Sequence, residues 1–493
     1  MHFETKKRVL QPVVRHKGLE PSLLSKLDPK SSASTNSANA AGNRLQRYNK
    51  KCTYARIFGK KFTFGQKGEH MGCINHKLPN MYDTFYHNLP NGVQIVHRKT
   101  NSPVVYVGIM VGAGTRHELP NENGMAHYIE HCVFKGTEHY TARQIINHIE
   151  GIGGEINAYT TKEETTFYAA TLRNHFRTTL HLLAEMVLHP TFNKKETDKE
   201  VTVILDEIES YNDSPSELIY DDFENMIFEG SPLAMPILGT KKTLRRISKS
   251  PDIALSWMQQ HYRPERMVLF VLGNVSTKQV IAAATRELGE LTSDTSAAST
   301  ASATSLTNSP SSLSRTYRRH THQTHVMLGS QAYHIGHPKQ LTMYLLNNIL
   351  GGGSMSSRLY LSLREKHGLV YNIDSQAVPL SDTGYWNIYL ACEPQHKEQC
   401  LELCHKELKQ LRDTTLTSTQ LQRALRQLEG QMAISAENQE NNALAMAKQM
   451  LYHHHAPAWQ ETFAKVQQIT PTQLQDVANE VFAPEKIYTL LYD

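Results

Sequence analysis

Two apolar rhythms divide this chain. Val93 to His97 and Val104 to Val111 are short runs with strand-like period-2 spacing, whereas Thr141 to Glu150 and Arg177 to Leu188 carry apolar residues three and four apart, as a helix with one buried face does. Runs of strand and runs of helix follow one another without a regular βα alternation. That predicts an α+β fold in which helices pack on one face of a mostly antiparallel sheet. Near the C-terminus, Pro471 after Thr470, with Gln473 two residues on, has the form of a capping-box helix start.

The pattern occurs twice. Pro251 opens Pro-Asp-Ile-Ala-Leu-Ser-Trp-Met-Gln-Gln-His-Tyr-Arg-Pro264-Glu265-Arg266 before an apolar run. Pro471 opens Pro-Thr-Gln-Leu-Gln-Asp-Val-Ala-Asn-Glu-Val-Phe-Ala-Pro484-Glu485-Lys486 before another, 220 residues later. The same offset sets Tyr106 to Gly112 against Val326 to Ala332. Two homologous domains of one fold are the simplest explanation. Residues 81–292 form the first, 316–493 the second, and the Ser, Thr and Ala of 293–315 read as a flexible linker too polar and small to bury.

Charge is distributed unevenly. Residues 1–80 hold 16 Lys and Arg against 4 Asp and Glu, and the remainder holds 36 against 43, so the basic balance of the whole chain comes from its first segment. That segment reads as a disordered basic extension, a transit peptide, or an untranslated stretch ahead of Met71 or Met81. Pro12, Pro21 and Pro29 interrupt any amphipathic helix and favour a disordered or misassigned extension. A cytoplasmic protein is the expectation, with the mitochondrial matrix as the alternative if the segment is a transit peptide. The acidic remainder gives no support for nucleic-acid binding, and no run is long enough to span a membrane. Six scattered cysteines are no disulfide framework. Cys400 and Cys404, four apart, read as a reduced helix face, and His453-His454-His455 as a solvated helix end.

The candidate chemistry lies in Met125-Ala126-His127-Tyr128-Ile129-Glu130-His131-Cys132-Val133-Phe134-Lys135-Gly136-Thr137. On a helix, His127 and His131 lie one turn apart on one face, and Glu130 projects to the same side. Two imidazoles so placed can share one tetrahedral cation, with a carboxylate beside it to serve as base. The order H-x-x-E-H is the inverted form of the commoner zinc-hydrolase motif. A catalytic zinc needs a third protein ligand. The segment Glu196 to Glu209 offers several, on a helix whose apolar positions Val201, Ile204, Leu205 and Ile208 share one face. Glu200 and Glu207, two turns apart, share another. Glu196, Asp198 and Glu209 read as solvated.

These segments carry a resemblance. Gly124 to Thr137, then Gly153-Gly154-Glu155-Ile156-Asn157-Ala158-Tyr159-Thr160, then Glu200 to Glu207 with Asp213-Ser214-Pro215, then Arg358-Leu359 and Arg364-Glu365-Lys366-His367-Gly368-Leu369-Val370-Tyr371 resemble, in order, the pitrilysin, insulysin and mitochondrial processing peptidase family. The likeness runs from about Tyr82 to Asp493 and is greatest to the short bacterial members that work as pairs of two-domain subunits.

The resemblance implies one zinc per chain, held by His127, His131 and Glu207, with Glu130 as general base and Glu200 as an accessory carboxylate. It implies that Asn157 and Ala158 hold an extended substrate along a strand edge, that Arg364 binds a substrate carbonyl, and that the Tyr371 hydroxyl donates to the oxyanion. The expected activity is zinc-dependent endopeptidase action on peptides or extended unfolded segments, by a homodimer or by a heterodimer with a related subunit. A non-catalytic peptide-binding or scaffold subunit and a presequence-processing subunit are the alternatives. In the 220-residue register Asn347, Leu350 and Gly351 stand where His127, Glu130 and His131 do, so the second half is expected to hold no metal.

Overall fold

Residues 84–292, 313–319 and 321–493, described by a computed structural model, form two sheets with helices, as the two rhythms predict. The segments read as a basic extension and as most of the linker lie outside these residues. The first half runs β1 (Thr84–Asn88), β2 (Gln94–Lys99), β3 (Val104–Val111), α1 (Met125–Cys132), α2 (Ala142–Glu150), β4 (Glu155–Thr160), β5 (Thr165–Leu172), α3 (Phe176–Leu188), α4 (Lys194–Asn212), α5 (Pro215–Ile227), α6 (Lys241–Ile247), α7 (Pro251–His261), β6 (Met267–Gly273) and α8 (Thr277–Leu288). The second runs β7 (Ser314–Tyr317), β8 (Thr324–Gln331), α9 (Gln340–Gly351), a π-helical segment Tyr360–Lys366, β9 (Val370–Pro379), β10 (Gly384–Cys392), α10 (Lys397–Asp413), α11 (Ser418–Ala436), α12 (Gln439–His453), α13 (Trp459–Val466), α14 (Pro471–Val481) and β11 (Tyr488–Tyr492).

The strand orders are β1-β2-β6-β3-β5-β4 and β7-β11-β8-β10-β9. Each sheet is antiparallel except for one parallel pair, β2 with β6 and β7 with β11. Shifted by 220 residues, β3 falls on β8, β5 on β10 and α7 on α14, so the proline-marked repeat is the repeat of the fold. β7 begins at Ser314, two residues inside the segment read as linker, because Ser314 to Tyr317 pair with β11. Thr470 caps α14 and Gln473 closes its box, as the sequence predicts. Cys400 and Cys404 are buried and unpaired, which makes them part of the apolar side of α10.

Alternation along the strands gives each sheet two apolar faces. In the first sheet Val105, Val107 and Ile109 face α3 and the other helices of their own half. Met110, Val268 and Phe270 point the other way, onto Met446, Ala447 and Met450 of α12, which belongs to the second half. The exchange is mutual. Val326, Trp386 and Ile388 face the second half's own helices, whereas Met327, Tyr385 and Tyr492 join Phe223 and Ile219 of α5 from the first half. Under the repeat, α5 and α12 are equivalent elements. Each half thus lends the same helix to the other.

Polar groups reinforce the exchange. Arg98 donates to Asn442 and to the Ala456 carbonyl, Tyr168 donates to Glu440, and Lys448 and Tyr452 both reach the buried Glu164. On the other side Tyr385 donates to Glu224, and Tyr492 to Asp222. The His453-His454-His455 end is exposed, as expected, but it also docks: His454 meets Gln94 at 2.7 Å and the His455 ring lies against Tyr86.

Phe223 is fully buried in the borrowed interface. Phe223→Ala is expected to lower unfolding free energy by about 3–5 kcal/mol, the usual cost of emptying a phenylalanine site. Urea unfolding of the variant should show both halves failing in one earlier transition. A transition at the parental midpoint would deny α5 that role.

Candidate metal centre

The helix that carries the histidines is fixed at both ends by local chemistry. Gly124 adopts a left-handed conformation (φ 92°) at its start, where the Gly239 backbone comes so close that a Cβ would lie 2.8 Å from the Gly239 Cα. The buried Glu118 carboxylate accepts from the Gly124 and Ala126 amides, each at 2.8 Å, and from Asn123, which satisfies the helix's first donors. Past Cys132 the helix tightens into a 3₁₀ turn, Val133–Lys135, and ends at Gly136 (φ 141°). Every residue of α1 is buried.

Opposite it lies α4, begun by the Asn193 cap and held by Val201, Ile204 and Ile208 in the core. Of the carboxylates left open by spacing, Glu207 stands beside both histidine Nε2 atoms. Glu207 Oε2 lies 3.7 Å from His127 Nε2 and 3.5 Å from His131 Nε2, and the ligand atoms of all three fall within 4.8 Å of one another. Ligands about 2.0–2.2 Å from a tetrahedral ion would stand about 3.3–3.6 Å apart, so these spacings suit one zinc. No other group of three potential metal ligands occurs among the described residues, and Asn347 and Gly351 stand at the matching positions of the second half. Glu200 lies one step out. Its Oε1 is 2.9 Å from His131 Nδ1 and its Oε2 is 2.6 Å from Lys135 Nζ. Glu196 pairs with Lys199, Asp198 with Lys194 and Glu209 with Lys241, all on the outer face as expected.

The electrostatics fit a cation. Burial drives the His127 pKa down to about 3, so its ring is neutral. Both of its nitrogens are buried without a hydrogen-bond partner, a costly arrangement that a metal at Nε2 would relieve. Burial also opposes charge on His131, but Glu200 and Glu207 outweigh it and raise its pKa to about 9, so a cation binding there must displace a proton. Glu200, despite burial, is held below the ordinary carboxylate range by His131 and Lys135. Glu130 is pushed up to about 7 by burial, against the pull of His131 and Thr160, and its Oε2 has no hydrogen-bond partner. A carboxyl poised there can take up and release a proton near neutrality.

β4 runs beside α1. It is an edge strand, paired only with β5 through Asn157↔Tyr168 and Ala158↔Phe167, and its last residue, Thr160, hydrogen-bonds to Glu130. The β4–β5 hairpin turn is then bound to the second half. Glu163 accepts from the Ser381 amide and hydroxyl and from Arg116, which also pairs with Asp382.

Arg364 and Tyr371 come together. Gly368 (φ 64°) turns the chain from the π-helical segment into β9, which lays the Arg364 guanidinium between Tyr360 and Tyr371, 4.8 and 5.1 Å from their ring centres. The turn of helix before Gly368, Tyr360–Lys366, is π-wound. Tyr371 is 73 % exposed. Sequence reasoning gave no role to Glu118 or Lys135. Glu118 carries no local capping signature, since it lies six residues before the Gly124 cap. Lys135 continues the four-residue stripe of His127 and His131, and that spacing was the available signal.

Comparison with known proteins agrees with this picture. The family model "Insulinase (Peptidase family M16)" matches residues 94–241, and the model "Peptidase M16 inactive domain" matches residues 250–428. An uncharacterized zinc protease of Bacillus subtilis, YmxG, is 32% identical over 404 residues, 81% of this chain and 96% of that protein. An uncharacterized zinc protease of Rickettsia bellii is 30% identical over 398 residues, covering 80% and 94%. The crystal structure of a protease from Helicobacter pylori shares the fold at a TM-score of 0.76 and 20% identity, covering 84% of this chain and 100% of that one. A Pseudomonas fluorescens structure titled as a peptidase M16 inactive domain does so at 0.75 and 19%, covering 83% and 97%. No helix among the described residues is long and apolar enough to cross a membrane.

Proposed function

Because the chain belongs to the insulinase family of peptidases, M16, we propose that it is a zinc-dependent endopeptidase acting on peptides or extended unfolded segments. The observation that carries this reading is the buried His127–His131–Glu207 donor set with the Glu130 carboxyl beside it. One zinc would be held by these three residues and would supply Lewis acidity toward a water and a peptide carbonyl. Glu130 takes the proton from the attacking water and returns it to the departing amine nitrogen. Its pKa near 7, brought down by a neighbouring dication, suits it to the first of these roles.

The edge of β4 gives the substrate its place. An extended peptide pairing there would bring its backbone past Asn157 and Ala158 toward Glu130, and main-chain hydrogen bonds bind without regard to most side chains. The Arg364–Tyr371 pair then supplies a substrate contact and an oxyanion donor. In a homodimer the exposed Tyr371 of one copy would be open to the other's metal. A residue set of His127, Glu130, His131, Glu207, Arg364 and Tyr371 in one chain also favours catalysis over a scaffold role.

Zinc analysis of purified protein, with cleavage of a quenched peptide library, tests the reading. Glu207→Gln should lower zinc occupancy sharply and abolish cleavage with it. Glu200→Gln should leave most of the metal and reduce rate, since outer-shell changes cost about 10–100-fold in affinity or activity. The reverse order in metal analysis would exchange the two glutamates' roles, and a zinc-loaded protein that cleaves nothing in the library would favour the scaffold.

A further inference from the structure

The two helices of the metal centre meet as a ladder. α1 and its 3₁₀ extension present His127, His131 and Lys135 at four-residue steps, and α4 presents Glu207 and Glu200 seven apart. His127 faces Glu207, His131 stands between Glu207 and Glu200, and Lys135 faces Glu200. Metal binding and proton transfer use every rung but the last.

We propose that Lys135 is a positioning residue for the metal centre, acting through Glu200 on the His131 imidazole. The inference rests on the zinc reading above and goes beyond it. Glu200 has two oxygens and two partners: His131 Nδ1 at 2.9 Å on Oε1 and Lys135 Nζ at 2.6 Å on Oε2. With only one oxygen engaged, a carboxylate is free to turn about its last torsion, which is broad and soft. The ammonium on Oε2 fixes the carboxylate plane, so that Oε1 stays where His131 can donate to it. A ring that donates at Nδ1 must present the Nε2 lone pair, and Nε2 is the atom that faces Glu207. The ammonium has a second effect. Glu200 and Glu207 are carboxylates on the same side of one helix, and both lie near His131. A fixed cation on Glu200 engages the oxygen it would need to turn toward the zinc, which leaves Glu207 as the ligand. Burial makes the pair tight, because the Glu200 side chain is 5% exposed and that of Lys135 22%.

A salt bridge that only clips α1 to α4 would stabilise the fold without tuning the metal, so the test reads zinc affinity rather than activity. Chelator competition on the full chain should show Lys135→Met binding zinc about 10-fold more weakly than the parent, within the usual range for an outer partner. Lys135→Arg, which keeps a cation and its donors, should restore affinity to within about 2-fold. In the Glu200→Gln background, Lys135→Met should add less than about 2-fold, because its route to His131 is already cut. Thermal melts of the zinc-free forms identify a variant that fails to fold, and Lys135→Gln then takes the place of Met. Unchanged zinc affinity in a folded Lys135→Met protein, or full additivity with Glu200→Gln, would overturn the proposal. A parent chain that binds no zinc would instead overturn the endopeptidase reading itself, which keeps the two failures distinct.

Discussion

Glu130→Gln is expected to keep its zinc and to lose about 10²-fold or more in peptide hydrolysis, the usual worth of a positioned general base. Gln nearly matches Glu in shape, and its carbonyl can keep the hydrogen bond from Thr160, so the packing of α1 should survive. What disappears is the oxygen with no partner, Oε2, and with it the capacity to accept a proton. Zinc content by elemental analysis and kcat on a quenched peptide measure the two effects separately. A variant with both zinc and most of the parental rate would show that another group is the base. Loss of zinc together with rate would assign Glu130 to the metal's own shell, against the geometry that brings Glu207, not Glu130, between the two imidazole Nε2 atoms.

Much of this was legible before any coordinates. The period of apolar residues located β3, α2 and α3 to within a residue or two, because each buries one face against the same core. The Pro251 and Pro471 segments revealed the duplication because a proline at the first helical turn and another just past the helix fix both ends of an element regardless of what packs on it. The four-residue spacing of His127 and His131 specified a shared face, and the structure gives their rings a centroid separation of 4.6 Å.

Other features were illegible for physical reasons. Periodicity says that α5 and α12 have an apolar side, not whose sheet it covers, so the exchange of Phe223 and Met446 between halves has no signature in either segment alone. Spacing along α4 does not separate Glu207 from Glu200, because their distances to the histidines depend on how two helices meet; only the family resemblance singled out Glu207. Lys135 looked like any basic residue in the last turn of a helix, where the dipole alone would explain it. Its partner lies 65 residues away and is buried. The π-winding of Tyr360–Lys366 likewise depends on how that segment meets β9, and its composition is that of an ordinary helix.

Tyr371→Phe tests whether the Arg364–Tyr371 pair acts on the metal centre. Only a hydroxyl is lost, from a residue 73% exposed, and phenylalanine keeps the ring on which Arg364 stacks. Fold and zinc should therefore be unchanged, while turnover falls by about 10²–10³-fold, the worth of one oxyanion donor. Arg364→Ala should raise KM as well, since it removes a substrate contact. A parental rate in the Phe variant would leave the second half as a platform without a catalytic part. Mixing decides where the hydroxyl acts. If Tyr371 serves the zinc of a second copy, unfolding and refolding Glu130→Gln together with Tyr371→Phe should recover about a quarter of parental activity. Half of the dimers formed are then hybrids, each with one intact site of two. If Tyr371 serves the zinc of its own chain, every site in the mixture lacks either its base or its donor, and refolding recovers nothing.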